Sequence, residues 1–292
     1  MLCVYYYSIA GLKSYDRAIY NKFDLLFNDH SKQDIVVLGS SRTYYGVNSF
    51  LLEKLTKKQV VNLGLEGAKI KEMALAFNGY LNAHPKPEKV YLMLDPHSFS
   101  SDSLIYNKIY FSNYLNNDSV YCALKSNLGY KAALWKWLPY TIISEFDDYT
   151  RIKSMKGLFF KNADEKLAYN YKGFSSLKKK YAATKYEIDV SKINIDICQK
   201  SLEEIINTCV NNGIELQIIQ GPFLEAYYNQ YHINYFYETL AKRVHIKFPS
   251  ISFQNTPINY DSIGYFKDET HLNDLGATKY TYDLFTNFIE KK

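Results

Sequence analysis

Glycine and proline are scarce in this 292-residue chain, at 13 and 7 residues, and their low sum excludes collagen-like and linker-dominated designs. No apolar run reaches the roughly 20 residues that a helix needs to span a bilayer. The opening stretch, MLCVYYYSIAGL, is apolar but has no basic region before it and no clear cleavage site. It reads either as the remnant of a membrane anchor or as a first core element, so residues 1–33 are set apart as an N-terminal segment. The four cysteines, Cys3, Cys122, Cys198 and Cys209, form no CxxC pair. Cys198 and Cys209 fall in one predicted helix about 16 Å apart, too far for a disulfide. An excess of one charge is missing too. With 35 basic and 30 acidic residues, the chain lacks the footprint of a nucleic-acid binder. Its densest basic run, Lys178-Lys179-Lys180, reads as a solvated loop. His30, His84, His232 and His245 are scattered without metal-ligand spacing, and neither GxxxxGK nor GxGxxG occurs. No metal and no cofactor are expected.

Tyrosine is what the chain has in excess: 29 Tyr beside 17 Phe. Tyrosine carries a polar handle on an apolar ring, which suits a wet binding surface as well as a core. The chain is also long enough to bury a core without disulfides.

The pattern along the chain is alternating. Asp34 to Gly39 (DIVVLG) is a short β-branched run, the look of a buried parallel strand. Asn48 is placed to cap a helix through Leu55. Gln59 to Leu63 and Lys89 to Leu94 read as strands two and three, with a helix over Ala68 to Asn82 between them. His84-Pro85-Lys86-Pro87 ends that helix. Residues 98–190 break the rhythm and read as a large, partly helical insertion. Alternation then resumes with a helix over Ile193 to Asn212, a strand over Ile214 to Gln220, a helix near Asn234 to Lys247 and a short strand over Ile251 to Gln254. A last helix is capped by Asn273 or Asp274. The expected fold is a flavodoxin-like three-layer α/β/α sandwich with about five parallel strands. Residues 34–292 are expected to form a single domain carrying the insertion.

Ligands of such sheets bind beyond the carboxyl ends of the strands. Two of those edges carry chemistry. Gly39-Ser40-Ser41-Arg42 puts a hydroxyl on a tight strand-to-helix turn, beside backbone N–H groups. Asp268-Glu269-Thr270-His271 puts a carboxylate three residues before an imidazole. That spacing lets Asp268 hold Nδ1–H and leaves Nε2 as a general base.

With these blocks the chain resembles the SGNH (GDSL-type) hydrolase superfamily. The resemblance makes Ser41 the nucleophile, with Ser40 in place of the usual Asp, and makes His271 and Asp268 its partners. It also matches Asn62 and Gly67 in VVNLGLEG to the second block, where the glycine N–H joins Ser41 N–H in an oxyanion hole. Asn62 secures the loop. The third block departs from the pattern: Leu94-Asp95-Pro96-His97 stands where the superfamily carries Gly-x-Asn-Asp. The Asn donor is missing, and His97 is the candidate replacement. Arg42 is read as gripping an anionic substrate or pairing with Asp95, and Asn273 as a helix cap. Trp135, Trp137 and nearby tyrosines form either the insertion's own core or a sugar-stacking wall beside Ser41.

The GSSR turn and DxxHLN ending look most like the branch of cell-surface polymer O-acyltransferases. That likeness implies a serine esterase or O-acyltransferase, with an acetyl group the expected cargo, acting on a carbohydrate or cell-envelope polymer. It implies an extracytoplasmic place, a membrane tether at the N-terminus and a membrane-bound acyl-donor partner. The competing expectation is a catalytically inactive carbohydrate-binding or assembly component that has kept the fold.

Overall fold

The computed structural model describes residues 2–100, 105–160, 167–178, 181–184, 187–190, 193–254 and 256–289. Two helices open the chain, α1 (Leu2–Tyr15) and α2 (Arg17–Phe27), followed by strand β1 (Ile35–Leu38). Helices α3 (Ser41–Gly46) and α4 (Ser49–Thr56) lead to β2 (Val60–Asn62), and α5 (Ile70–Ala83) leads to β3 (Lys89–Leu94). The insertion holds α6 (Lys108–Phe111), α7 (Asp118–Leu128), α8 (Tyr130–Trp137) and α9 (Asp148–Phe159). A hairpin of β4 (Leu167–Tyr171) and β5 (Phe174–Leu177) follows. The chain closes with α10 (Ile195–Asn212), β6 (Glu215–Gln220), α11 (Glu225–Gln230), α12 (Ile233–Lys247), β7 (Ser252–Phe253) and α13 (Asp274–Leu284).

The main sheet runs β2-β1-β3-β6-β7, and every pairing in it is parallel. Strand β1 is aliphatic on both faces and fully buried, and β3 is buried beyond Lys89, as a sheet covered by helices on both sides requires. This is the α/β/α sandwich expected from the sequence. The chain steps from β1 to one side for β2 and to the other for β3. The crevice at that reversal opens beside the residues after β1 and β3, Ser40 to Arg42 and Asp95 to His97.

The capping signals work as the sequence indicated. Asn48 accepts from Leu51 N at 3.0 Å and Asn273 from Gly276 N at 3.1 Å. Gly213 ends α10 in the left-handed region at φ 65°.

Residues 1–33 do not stand apart from the rest. Ile9, Leu12, Phe23, Leu26 and Phe27 are buried in the same core as the sheet. Phe23 and Phe27, one turn apart on α2, pack on Phe111 and Tyr114 of the insertion. α1 crosses α9 at Gly11 and Gly157. A Cβ on Gly11 would lie 1.9 Å from the Ser154 carbonyl oxygen, so only glycine permits this approach. No helix among the described residues is long and apolar enough to cross a membrane.

The β4–β5 hairpin turns on Lys172 and Gly173, both at positive φ, the backbone of a tight two-residue turn. Its tip docks on the free edge of β2, where Asn62 N donates to Lys172 O at 3.0 Å. Of the basic loop expected at Lys178-Lys179-Lys180, Lys179 and Lys180 lie outside the described residues.

Candidate active site

Three side chains from the two ends of the chain meet at the crevice. Ser41 opens α3 directly after β1, and its Oγ lies 2.8 Å from His271 Nε2. His271 Nδ1 lies 3.0 Å from both Asp268 carboxylate oxygens. With Asp268 holding Nδ1–H, Nε2 is left to accept the Ser41 hydroxyl proton.

The loop from 265 to 273 fixes this geometry. Lys267 N donates to His271 O at 2.8 Å, Asn273 N to Tyr265 O at 2.9 Å, and Phe266 bridges Leu272. Inside the loop Asp268 Oδ1 accepts from Thr270 N, from Thr270 Oγ1 and from His271 N, each at 2.9 Å. Burial would raise the Asp268 pKa, but hydrogen bonding and proximity to His271, together with the Thr270 bonds, hold it down to about 2. The Tyr45 ring stands edge-on to the imidazole, with centroids 6.0 Å apart.

The neighbouring residues are arranged differently from the expectation. Arg42 and Asp95 do not form an ion pair. The Arg42 guanidinium carbon stacks 3.4 Å above the Phe223 ring centroid, and Nη1 has no hydrogen-bond partner among the described residues. The aromatic face of β6's following loop is flat and close, whereas the Asp95 oxygens are already taken. Ser40 Oγ donates to Asp95 at 2.6 Å, and Ser98 donates through N and Oγ at 3.1 and 3.0 Å. Burial pushes Asp95 up, but Arg42's charge, these hydroxyls and His97 bring it below the ordinary carboxylate value.

Asn62 does not reach the crevice. Its Nδ2 donates to Thr43 O at 2.6 Å and to Val47 O at 2.8 Å, and its Oδ1 accepts from Gly64 N at 2.9 Å, which ties β2 to α3. Gly67 has φ 67° and lies under the Tyr106 ring, outside the pocket lining. His97 does line the pocket. Its Nε2 accepts from Lys69 Nζ at 2.8 Å, a contact that no motif signalled. Burial, with Lys69, Arg42 and His271 nearby, lowers the His97 pKa against the pull of Asp95.

The pocket over Ser41 encloses about 180 Å³. Besides the motif residues it is lined by Thr184 from the far end of the insertion. No tyrosine or tryptophan lines it among the described residues. Trp135 is buried in the insertion's core, Trp137 is exposed, and Tyr227, Tyr228 and Tyr237 are buried under the sheet edge. Polar and charged side chains line the pocket where an aromatic wall was expected.

No protein-family model and no curated protein matches the chain. Among solved structures it is similar to a protein described as lipolytic and of the G-D-S-L family from Desulfitobacterium hafniense DCB-2. The identity is 11% and the TM-score 0.43, over 86% of this chain and 97% of that one. It is also similar to a protein described as a platelet activating factor from Streptococcus pneumonia, at 13% identity and TM-score 0.44, over 94% and 93% of the two chains.

Proposed function

We propose that the protein is a serine esterase or O-acyltransferase of SGNH type that works through an acyl-enzyme on Ser41. The observation that carries this reading is the continuous chain Ser41–His271–Asp268, at 2.8 and 3.0 Å, over a pocket. Ser41 Oγ attacks the ester carbonyl carbon while His271 Nε2 takes its proton. The Asp268 carboxylate stabilises the imidazolium that results. His271 then returns the proton to the departing alcohol, leaving acyl-Ser41. A water or a sugar hydroxyl, deprotonated by His271, attacks the acyl carbon and releases Ser41. In this reading the Ser41 N–H, at the start of α3, steadies the oxyanion.

The small pocket supports an acetyl rather than a long acyl group. A carbohydrate or cell-envelope polymer as substrate, an extracytoplasmic site of action and a membrane-bound acyl donor belong to the same proposal and rest on the motif resemblance. The test is hydrolysis of an acetyl ester by wild type, Ser41→Ala and His271→Ala, with and without an oligosaccharide acceptor. Acetate release that both substitutions abolish supports the reading, and acetyl transfer to the sugar selects the transferase. A folded wild type with no turnover and no labelling by a serine-reactive fluorophosphonate overturns it in favour of a binding component. The missing Asn donor of the third block, with its candidate replacement His97 accepting from Lys69 Nζ through Nε2, is what favours that second reading.

A further inference from the structure

Exposed apolar side chains are concentrated outside the Ser41 pocket. Fourteen of the 22 large apolar residues exposed among the described residues fall within 2–7 and 130–160, stretches that make up a small part of the chain. The two stretches are in contact. The Gly11–Gly157 crossing brings α1 against α9 at backbone contact, and Ser154 Oγ donates to Ser8 O at 2.9 Å. A monomeric soluble protein seldom leaves so many large apolar groups together in water.

The kind of side chain indicates what covers them. Trp137 and Phe159 are each 77% exposed and Phe160 67%, and Tyr6, Tyr7 and Met155 are similarly open. Along α9, Tyr149, Ile152, Met155 and Phe159 recur at helical spacing on the face opposite Gly157, with Arg151 and Lys156 among them. Lysine is depleted from the cores of protein interfaces. Aromatic side chains beside lysine and arginine are instead the composition of a helix lying in a lipid headgroup layer, where the long cationic chains reach outward.

The charge agrees. Residues 2–17 and 130–160 carry seven basic and four acidic side chains. Of the acidic ones, Asp16 is buried against Lys153, and Glu145 pairs with Lys108 and Lys131. Asp147 and Asp148 sit together at the start of α9, where Asp147 caps the helix and Asp148 faces Arg151. Lys156, near the opposite end of α9 beside Phe159 and Phe160, has no acidic residue next to it in sequence, and Lys13 and Arg17 are exposed on α1 and α2.

We infer that the exposed apolar face of α9 docks the protein peripherally on an anionic lipid surface. Its aromatic side chains enter the headgroup layer and Lys156 meets the lipid phosphates. The inference does not depend on Ser41.

Co-sedimentation of the full chain with phosphatidylcholine vesicles, with and without phosphatidylglycerol, tests it. Binding to the anionic vesicles is expected to be tighter by about tenfold or more and to weaken with salt. The double variant Phe159→Ser/Phe160→Ser and the single variant Lys156→Glu should each lose most of it. Both change exposed positions, so circular dichroism should be unchanged. Ser41→Ala and the distant surface variant Ile246→Ser should bind as wild type. No preference for anionic vesicles, or binding that survives the Phe159→Ser/Phe160→Ser change, overturns the inference. So does a stable dimer in sedimentation that the same change dissociates, which would assign the face to a second copy.

Discussion

The Glu269 carboxylate accepts hydrogen bonds from Thr184, through the backbone N–H at 3.0 Å and the hydroxyl at 2.7 Å. Tyr181 OH donates to the same carboxylate at 3.1 Å, and Ala182 N donates to Lys267 O at 2.9 Å. One residue of the Asp-x-x-His turn thus pins the short strap 181–184, whose Thr184 lines the pocket over Ser41. Glu269→Ala should cost about 1–2 kcal/mol in urea melts, since three donors lose their acceptor. Freed from its anchor, the strap should also admit larger groups, so the butyryl-to-acetyl ratio of kcat/KM should rise. Thr184→Ala should shift the same ratio with a smaller effect on stability. An unchanged ratio in both variants would show that the strap does not select the acyl group.

Asp268 is expected to act through His271 rather than on substrate. Asp268→Asn keeps the shape of the turn but favours the wrong tautomer, and kcat for acetyl-ester hydrolysis should fall by about 10⁴. The carboxyl also has a stability signature. Its pKa is depressed in the folded protein, to about 2, so its contribution is present above the ordinary value of 3.8 and is lost as pH falls through about 2. Acid titration of the melting midpoint should be shallower in Asp268→Asn than in wild type across that window.

Glu72 titrates in the opposite sense. It is fully buried under the start of the insertion, accepting from Tyr106 N, Asn107 N and Asn107 Nδ2 at 2.9, 3.1 and 2.6 Å. Burial outweighs those bonds and raises its pKa to about 7. A raised value means that the contribution is full below the ordinary 4.5 and is lost as pH rises through about 7. The loss amounts to roughly 3 kcal/mol, at 1.36 kcal/mol per unit. Urea unfolding of wild type and Glu72→Gln between pH 5 and 8 should differ in slope, with the wild type falling more steeply.

Gly157 carries the contact between α1 and α9. An alanine Cβ there would come 1.9 Å from the Gly11 carbonyl oxygen, so the helices must separate. Gly157→Ala should lower stability by about 1–3 kcal/mol and speed amide exchange in α1 ahead of the sheet. Equal exchange in both proteins would mean that α1 is held elsewhere.

The sheet was legible because its strands are short β-branched runs that end in Gly, Asp or Pro, and their burial on both faces leaves no other solution. Ser41, His271 and Asp268 were legible as a set because each lies in a loop just beyond a buried strand or just before a capped helix. Pair partners were less so. Ser40 and Asp95 meet because β1 and β3 are adjacent, a relation that only the strand order reveals. Arg42 then finds Phe223, which lies 181 positions away in a loop without a motif. The tyrosine excess misled for a related reason. A ring can fill a core and still satisfy its hydroxyl, as Tyr237 does on Leu94 O at 2.8 Å and Tyr280 on Gln220 O at 2.7 Å. A count of tyrosines therefore cannot separate inside from outside.

Ser41 and His271 are 230 positions apart, and His271 is fixed by a loop that leads directly into the last helix. During synthesis the first strand and Ser41 emerge early, while their partner follows 230 residues later. A nascent protein therefore carries an unactivated serine until α13 leaves the ribosome and docks. Any truncation that removes the Asp268–His271 turn together with α13 should leave Ser41 without its partner while leaving β1 and β3 intact.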